Sequence, residues 1–482
     1  MGRLFSRRGH LTRYDLVILG HGSAAFAAAI KAKDLGVKTA MVGASLTKGT
    51  LVGGTCVNVG CIPSKRLITV GTLFYNSSHN SFQGIKYDQG KLDFRQVIRQ
   101  KDDLVRKFRR DKYRRVLDHL KHVTYYEGNG RFESKNKIAL DGRTLEAPRF
   151  IVATGARANI PPVKGIENVD YLTNEEALNL QELPQSLCVI GGRALGLEFA
   201  QMYAQFGTKV TVLQRSQRIL PEDEPVVSKT LAGYMKAMGI RMKTGIKIRA
   251  IENKGNDKLV KYTSKGKNLV VEAEQVLFAT GRRPNTEDLH LSAAGVETDE
   301  KGFVKVNNQM QTSAPNVWAA GDVTGEPMLE TIAAKEGLVA VENAFSKGPK
   351  KRISFDEVPS AVFTYPEVAR VGLTESQVLA RGMHCNCVTL PFDLVPKAHV
   401  IADTRGLLKL VINNDTKQIL GVHIVSPHAA DLIHEGVLAV KFKMTIDDII
   451  DTVHVFPTLS ESMKLAAQSF YMDVGSLSCC IG

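Results

Sequence analysis

Tyr14-Asp-Leu-Val-Ile-Leu-Gly20-His-Gly-Ser-Ala-Ala25 and Leu187-Cys-Val-Ile-Gly191-Gly-Arg-Ala-Leu-Gly196 share one form: a short apolar run, then a tight glycine turn. Each turn leads into an apolar stretch, Phe26 to Ile30 and Leu197 to Ala204, and each is followed by another strand-like run, Lys38 to Val42 and Lys209 to Leu213. Strand, glycine turn, helix, strand is the βαβ dinucleotide-binding unit. Glycines let the backbone approach a pyrophosphate, which rests on the helix N-terminus where free amides and the dipole favour an anion. One such loop is weak evidence, but two copies in one chain imply two nucleotide sites.

Working outward, Ala153-Thr-Gly155 and Ala279-Thr-Gly281 each end an apolar run, and Val317-Trp-Ala-Ala-Gly-Asp322 is a further strand ending in Gly-Asp. From about Ile353 the character changes. Val358 to Phe363, Leu407 to Ile412 and Ile419 to Ile424 read as sheet strands, and Leu432 to Lys441 and Leu459 to Ser469 as amphipathic helices. That is an α+β region with no nucleotide loop of its own. The predicted class is α/β: two Rossmann-like dinucleotide-binding domains plus a C-terminal α+β domain.

Between the first unit and the rest lies Gly53-Gly-Thr-Cys-Val-Asn-Val-Gly-Cys-Ile-Pro-Ser-Lys65. Gly53 and Gly54 permit a tight turn, and Pro63 suits the first turn of a helix. Cys56 and Cys61 stand in C-x4-C spacing at that helix start, where the dipole stabilises a thiolate and is expected to lower its pKa. Lys65 adds a cation. The competing reading, two inert buried cysteines, explains none of the surrounding motif.

The 482 residues are too many for a single core. A net charge of +14 favours phosphorylated small molecules. No basic run is interleaved with aromatics, so no nucleic-acid partner is expected. No apolar stretch reaches the roughly 20 residues of a membrane helix, and Met1 to Arg13 has basic residues without a secretory apolar core, so no membrane partner is expected. Seven cysteines without an export signal fit a reducing cytoplasm rather than a disulfide framework. Cys188 reads as core. Cys385 and Cys387 read as structural, with an auxiliary metal contact as the alternative.

Taken together, these motifs resemble the pyridine nucleotide-disulfide oxidoreductase family over nearly the whole chain. The resemblance implies an FAD-binding domain over 1–158 and 285–352, an NADPH-binding domain over 159–284, and a dimerisation domain over 353–482 that makes a homodimer. Cys56 would exchange with substrate and Cys61 would contact the flavin as a charge-transfer thiolate. Lys65 would sit near flavin N5, paired with Glu198, and Asp322 would bind the FAD ribityl and phosphate region. The further cofactor-binding positions are Gly20, Gly22, Ser23, Ala24, Gly54, Thr55, Thr154, Gly155, Gly191, Gly196, Gly281 and Gly321. Two positions depart from the family pattern. Gly43 stands where a ribose-binding Glu is usual, leaving Ser45 or water to hold the ribose, and Arg193 stands where the second loop has its second glycine.

The residue ending the second strand of a Rossmann unit reads the nicotinamide ribose: an acid selects NAD, a nearby Arg accommodates the 2′-phosphate of NADP. That position is Gln214, followed by Arg215 and then Arg218. No acid and two cations predict NADPH, and Arg193 is a further candidate phosphate contact.

Disulfide-reducing members of the family carry a His paired with a Glu, usually as His-Pro, to protonate the leaving thiolate. Here the stretch is His454-Val-Phe-Pro-Thr-Leu-Ser-Glu461, and the position before Pro457 is Phe456, which carries no proton. His454 is the alternative carrier, since on a strand it shares a face with Phe456. The chain ends Leu477-Ser-Cys-Cys-Ile-Gly482, a pair of soft ligands. The tail and the Thr-Cys-Val-Asn-Val-Gly-Cys spelling resemble mercuric ion reductases. This implies Hg(II) as substrate: Cys479 and Cys480 capture it from small-molecule thiols, serve the active site of the opposite subunit, and pass it to Cys56 and Cys61. Tyr113 matches a tyrosine that these enzymes place near the inner cysteines, whereas Thr458 stands where a second is expected. The metal-capture domain that many carry at the N-terminus is not expected ahead of Tyr14. Two alternatives stay open: a disulfide reductase of the large thioredoxin reductase kind, and a flavoprotein that binds Hg(II) without turnover.

Overall fold

The computed structural model describes residues 11–43, 52–79, 81–82, 84–85 and 90–476. The apolar run opening the first glycine loop forms the strand Leu16–Leu19, with all four side chains buried. It is the middle of a five-stranded sheet whose order is Val317–Ala319, Phe150–Val152, Leu16–Leu19, Thr39–Gly43, Val123–Glu127. Every pairing in it is parallel. Parallel strands covered on both faces read as unbroken apolar runs, which is how this one looks in sequence. Burying each Leu or Ile in it stabilises the fold by about 1.5–3 kcal/mol. The strand order reverses between Leu16–Leu19 and Phe150–Val152, which run parallel, so Gly20 and Ala153 flank the switch point where α/β sheets bind ligands.

These elements belong to a compact unit made of Met1–Pro63, Arg99–Asn159 and Gly281–Ser354. Its helices Ser23–Asp34 and Glu330–Phe345 pack closely: a Cβ on Gly337 would lie 2.2 Å from the Ala24 carbonyl oxygen, so only glycine fits. A four-stranded sheet (Leu11–Arg13, Arg143–Glu146, Lys137–Leu140, Arg131–Ser134) completes the unit.

The second unit comprises Ser64–Ile98, Ile160–Thr280 and Phe355–Gly482. It holds a parallel sheet in the order Arg241–Lys243, Lys209–Leu213, Ser186–Ile190, Gln275–Phe278, again with its order switch beside the first strand. A five-stranded antiparallel sheet follows: Ser360–Val362, Glu367–Gly372, Ile419–Ser426, Leu407–Asn413, Cys385–Pro391. Helices Ala429–Lys441, Ile446–Asp451 and Glu461–Gln468 contribute to its core. Leu407–Asn413 is buried along its length except at Asn413, yet carries Lys409. A buried ammonium needs partners. Lys409 Nζ has two, Glu224 at 2.9 Å and Glu375 at 2.7 Å.

Candidate active site

The first glycine loop is held by contacts that exclude side chains. Gly20 has φ +137°, and a Cβ there would lie 2.1 Å from the Ala153 carbonyl oxygen. The helix Ser23–Asp34 has Gly22 as N-cap, with no side-chain cap and no acid in its first turn. Its leading amides therefore have no capping side chain, as a pyrophosphate site requires. Ala24 lies in that first turn, 3.1 Å from where a Cβ on Gly321 would stand. The Gly321 amide donates to Glu336 Oε2 at 2.6 Å, and Asp322 follows, opening the 3-10 turn Asp322–Thr324 after the neighbouring strand Val317–Ala319. Arg282 bonds the Ala156 carbonyl, donates to Thr55 Oγ1 at 3.3 Å and has its Nε 3.3 Å from Asp322 Oδ2. Thr154 Oγ1 donates to the Asn285 carbonyl at 2.8 Å, and Gly155 takes φ +70°. These residues fit an FAD: free helix amides for phosphate, glycines for close approach and a carboxylate just after the adjoining strand.

Gly43 shows what replaces the absent ribose-reading acid. A Cβ there would stand 2.7 Å from His21 Cβ, so the imidazole occupies the room an acid would need. His21 is buried, and burial holds its pKa below the ordinary value. Ser45 lies outside the described residues.

The redox segment abuts the same loop. The Gly53 amide donates to the His21 carbonyl at 3.0 Å, and a Cβ on Gly54 would meet Gly22 Cα at 2.6 Å. Cys56 sits in the helix Gly54–Val59, and Cys61 begins the helix Cys61–Ser78. Both are half-buried, with no disulfide between them. The expected lowering of the thiol pKa is corrected for Cys56, which is pushed well up. Its hydrogen bond to Cys61 is the largest cause, and burial adds to it. The Cys61 backbone amide acts in the expected direction and is outweighed.

Tyr113 lies in the π-helical turn Arg109–Arg114, whose register also sets Arg109 Nε 2.9 Å from Asn58 Oδ1. The Tyr113 ring stands edge-on to Phe26, centroids 5.0 Å apart, and its hydroxyl shares a hydrogen bond with Ser23. Burial pushes its pKa up to about 12, so it stays a neutral phenol beside the thiols.

In the second unit, Lys65 Nζ meets Glu198 Oε2 at 2.7 Å. Glu198 Oε1 accepts from the Phe363 amide at 2.9 Å, and Lys65 Nζ lies 4.6 Å from the Phe363 ring centre. The second glycine loop repeats the first. Gly191 has φ +123° with its Cβ position 2.1 Å from the Ala279 carbonyl oxygen, and a Cβ on Gly196 would meet the Gly191 carbonyl oxygen at 2.0 Å. Arg193 is the N-cap of the helix Ala194–Gln205, without a side-chain cap, but its guanidinium is paired with Glu222 rather than left for phosphate. Gln214 is buried and accepts from the Gly192 amide at 2.9 Å. Arg218 is also committed: its guanidinium donates to the carbonyls of Pro221 at 2.6 Å and Asp223 at 2.8 Å. Of the two cations expected to read a 2′-phosphate, the exposed one is Arg215. Gly281 belongs to the first unit, with φ +101°.

At the C-terminal stretch, one expectation is overturned. His454 is not on a strand; it lies in a loop after Ile446–Asp451, so no strand face places it with Phe456. Its Nε2 is 2.9 Å from Glu435 Oε1 and its Nδ1 is 3.0 Å from the Thr452 carbonyl. Phe456 is 51% exposed. Glu461 Oε2 is buried without a hydrogen-bond partner, and burial raises its pKa. The Thr458 hydroxyl turns back to the Val455 carbonyl at 2.8 Å. Cys479 and Cys480 lie outside the described residues. Cys188 is fully buried with its pKa pushed up to about 12, an inert core thiol.

Sequence reasoning missed Glu336, Arg282 and His21. Glu336 carried a signal, an acid on the largely apolar buried face of the helix Glu330–Phe345.

Two dinucleotide loops and a dithiol built onto the first of them define a nucleotide-dependent dithiol oxidoreductase. The profile of the pyridine nucleotide-disulphide oxidoreductases matches residues 14–337, and that of their dimerisation domain matches 358–467. The chain belongs to this family, which implies FAD and NAD(P)H as cofactors and supports a homodimer. It is 41% identical over 469 residues to the mercuric reductase of Lysinibacillus sphaericus, covering 97% of this chain and 85% of that one. It is 34% identical over 465 residues to the mitochondrial dihydrolipoyl dehydrogenase of Pisum sativum, covering 95% and 91%. Among solved structures it is similar to the HOCl-induced flavoprotein disulfide reductase RclA of Escherichia coli, with a TM-score of 0.83 and 28% identity over 94% of this chain and 99% of that one. No described helix is long and apolar enough to cross a membrane.

Proposed function

We propose that this chain is an NADPH-dependent mercury(II) reductase of the reducing cytoplasm, with FAD in 1–158 and 285–352, NADPH in 159–284 and dimerisation through 353–482. The observation that carries this reading is the missing acid. Phe456 occupies the position of the family's proton donor, and the buried Glu461 oxygen that would face such a donor has no partner. A disulfide substrate needs that proton for its leaving thiolate. A thiol-held Hg(II) does not, because reduction changes the charge of the ion and breaks no S–S bond. The similarity to mercuric reductases agrees.

In this reading Cys479 and Cys480 of one subunit take Hg(II) from small-molecule thiols and hand it to Cys56 and Cys61 of the other by ligand exchange. Cys56, protonated at rest, yields its proton as the ion arrives. Tyr113, a neutral phenol, flanks the pair and holds Ser23. Lys65, fixed by Glu198, supplies positive charge at the flavin, and Arg215 receives the 2′-phosphate. Bound FAD supplies two-electron transfer: NADPH and Hg(II) become NADP+, H+ and Hg(0).

The His454–Glu435 hydrogen bond favours a second reading, a disulfide reductase using a displaced His–carboxylate pair. One experiment separates them. NADPH oxidation is followed with Hg(II) in excess monothiol and, separately, with oxidised glutathione, oxidised thioredoxin and lipoamide. Turnover confined to a disulfide sinks the mercury reading, and flavin reduction without release of Hg(0) means sequestration. Replacing Cys479 and Cys480 with Ala should cripple turnover of thiol-bound Hg(II) while leaving flavin reduction by NADPH intact.

A further inference from the structure

The second unit carries a group of sulfur atoms that the reaction above does not use. Met383, Cys385 and Cys387 alternate with the exposed His384 and Asn386, so the three sulfur side chains share the inward face at the edge strand Cys385–Pro391. All three pack against the buried Leu373, Val378 and Val411. Cys385 and Cys387 are free and half-buried, and their thiols share a hydrogen bond. They are therefore within reach of a common ligand without rearrangement of the strand.

The chemistry of the surroundings narrows what that ligand is. Among the described residues no three or more of His, Cys, Asp and Glu are grouped to hold a metal. A structural zinc ion, which takes four such ligands, is not served. Two thiols with a thioether beside them suit a soft ion of low coordination number. Charge decides further. Burying net charge in an apolar cluster is costly. A monovalent ion on two thiolates leaves one negative charge, whereas a divalent ion on two thiolates is neutral. Lys409 favours a thiolate at Cys387, but it is already engaged by Glu224 and Glu375, and Glu375 opposes that negative charge.

We propose that Cys385 and Cys387, with Met383 beside them, form a second soft-metal site that takes a thiophilic divalent ion of the Hg(II) class as a neutral bis-thiolate. Two S–H bonds are exchanged for two S–metal bonds, two protons leave, and no electrons move. Binding needs no NADPH and stands whether or not the redox pair reduces mercury.

The test uses the reduced, full-length holoprotein without NADPH, titrated with Hg(II), desalted, and assayed for mercury per chain. The isosteric double variant Cys385→Val/Cys387→Val should retain one equivalent fewer than the parent, with flavin content and near-UV dichroism unchanged. Equal retention in the two overturns the site. Should the variant fail to fold, alkylation of the parent decides. Loading with Hg(II) should protect Cys385 and Cys387 together from iodoacetamide, and equal labelling with and without the ion overturns the proposal.

Discussion

The two glycine loops have the same clamp and different supports. In each, the first glycine takes φ above +120° and presses against the carbonyl of the strand across the switch point, Ala153 in one and Ala279 in the other. Around that clamp a second glycine amide is held by a buried side chain. The Gly321 amide donates to the carboxyl of Glu336, whereas the Gly192 amide donates to the amide oxygen of Gln214. One support titrates and the other cannot. The clamp follows from the close approach of a glycine turn to the carbonyl of the crossing strand, which leaves no room for a side chain. The supports answer only to burial and hydrogen bonding, so different residues serve.

The sharpest way to break the comparison is to fill each clamp. Gly20→Ala and Gly191→Ala both force a Cβ onto a carbonyl oxygen at 2.1 Å. The left-handed backbone alone costs about 1–2 kcal/mol, and the clash adds to it. Gly20→Ala should purify without flavin. Gly191→Ala should keep its flavin absorbance yet show flavin reduction by NADPH slowed by roughly tenfold or more in stopped flow, as that strain alone requires. Loss of flavin from Gly191→Ala would mean that the two loops are not separate sites.

The supports come next. Burial pushes Glu336 up to about 7 from an ordinary 4.5, so the folded protein holds this proton more tightly than the unfolded chain. Its contribution is greatest below the unfolded value and is lost as pH rises through about 7, up to about 3 kcal/mol at 1.36 kcal/mol per pH unit. Glu336→Gln keeps the acceptor for Gly321 and removes the titration, making the first support like the second. In the flavin-free protein, the melting temperature of Glu336→Gln relative to the parent should rise between about pH 5 and pH 8. A flat difference would show that the carboxyl is not held protonated.

What the sequence disclosed divides along the same line. The clamps and the redox spacing were legible because each is dictated by a local motif or a helix start, whereas the Lys65–Glu198 pairing, between residues 133 apart, was implied only by the family resemblance. Gln214 turning inward, Arg218 spending its donors on nearby carbonyls and His21 filling the room beside Gly43 were not legible. Each is decided by packing around the position, and sequence alone shows neither which way a side chain turns nor what meets it there. His454 was misplaced for a related reason. A strand assumed from two residues of spacing had no partner strand to bond it.

The smallest expected effect separates the two arginines of the second loop. Arg215 is exposed at the end of the second strand, and a charge-assisted hydrogen bond from it to a 2′-phosphate is worth about 1.5–3 kcal/mol. Arg215→Glu should therefore raise KM for NADPH roughly tenfold or more and leave KM for NADH nearly unchanged. Arg193, at the position where the first loop has its N-cap glycine, is half-exposed and paired with Glu222. An exposed pair of this kind contributes about 0–1 kcal/mol, so Arg193→Gly should move KM for NADPH by less than about fivefold. A larger loss on Arg193→Gly than on Arg215→Glu would reverse their roles, with Arg193 leaving Glu222 to meet the cofactor and the second loop reading phosphate from its helix cap.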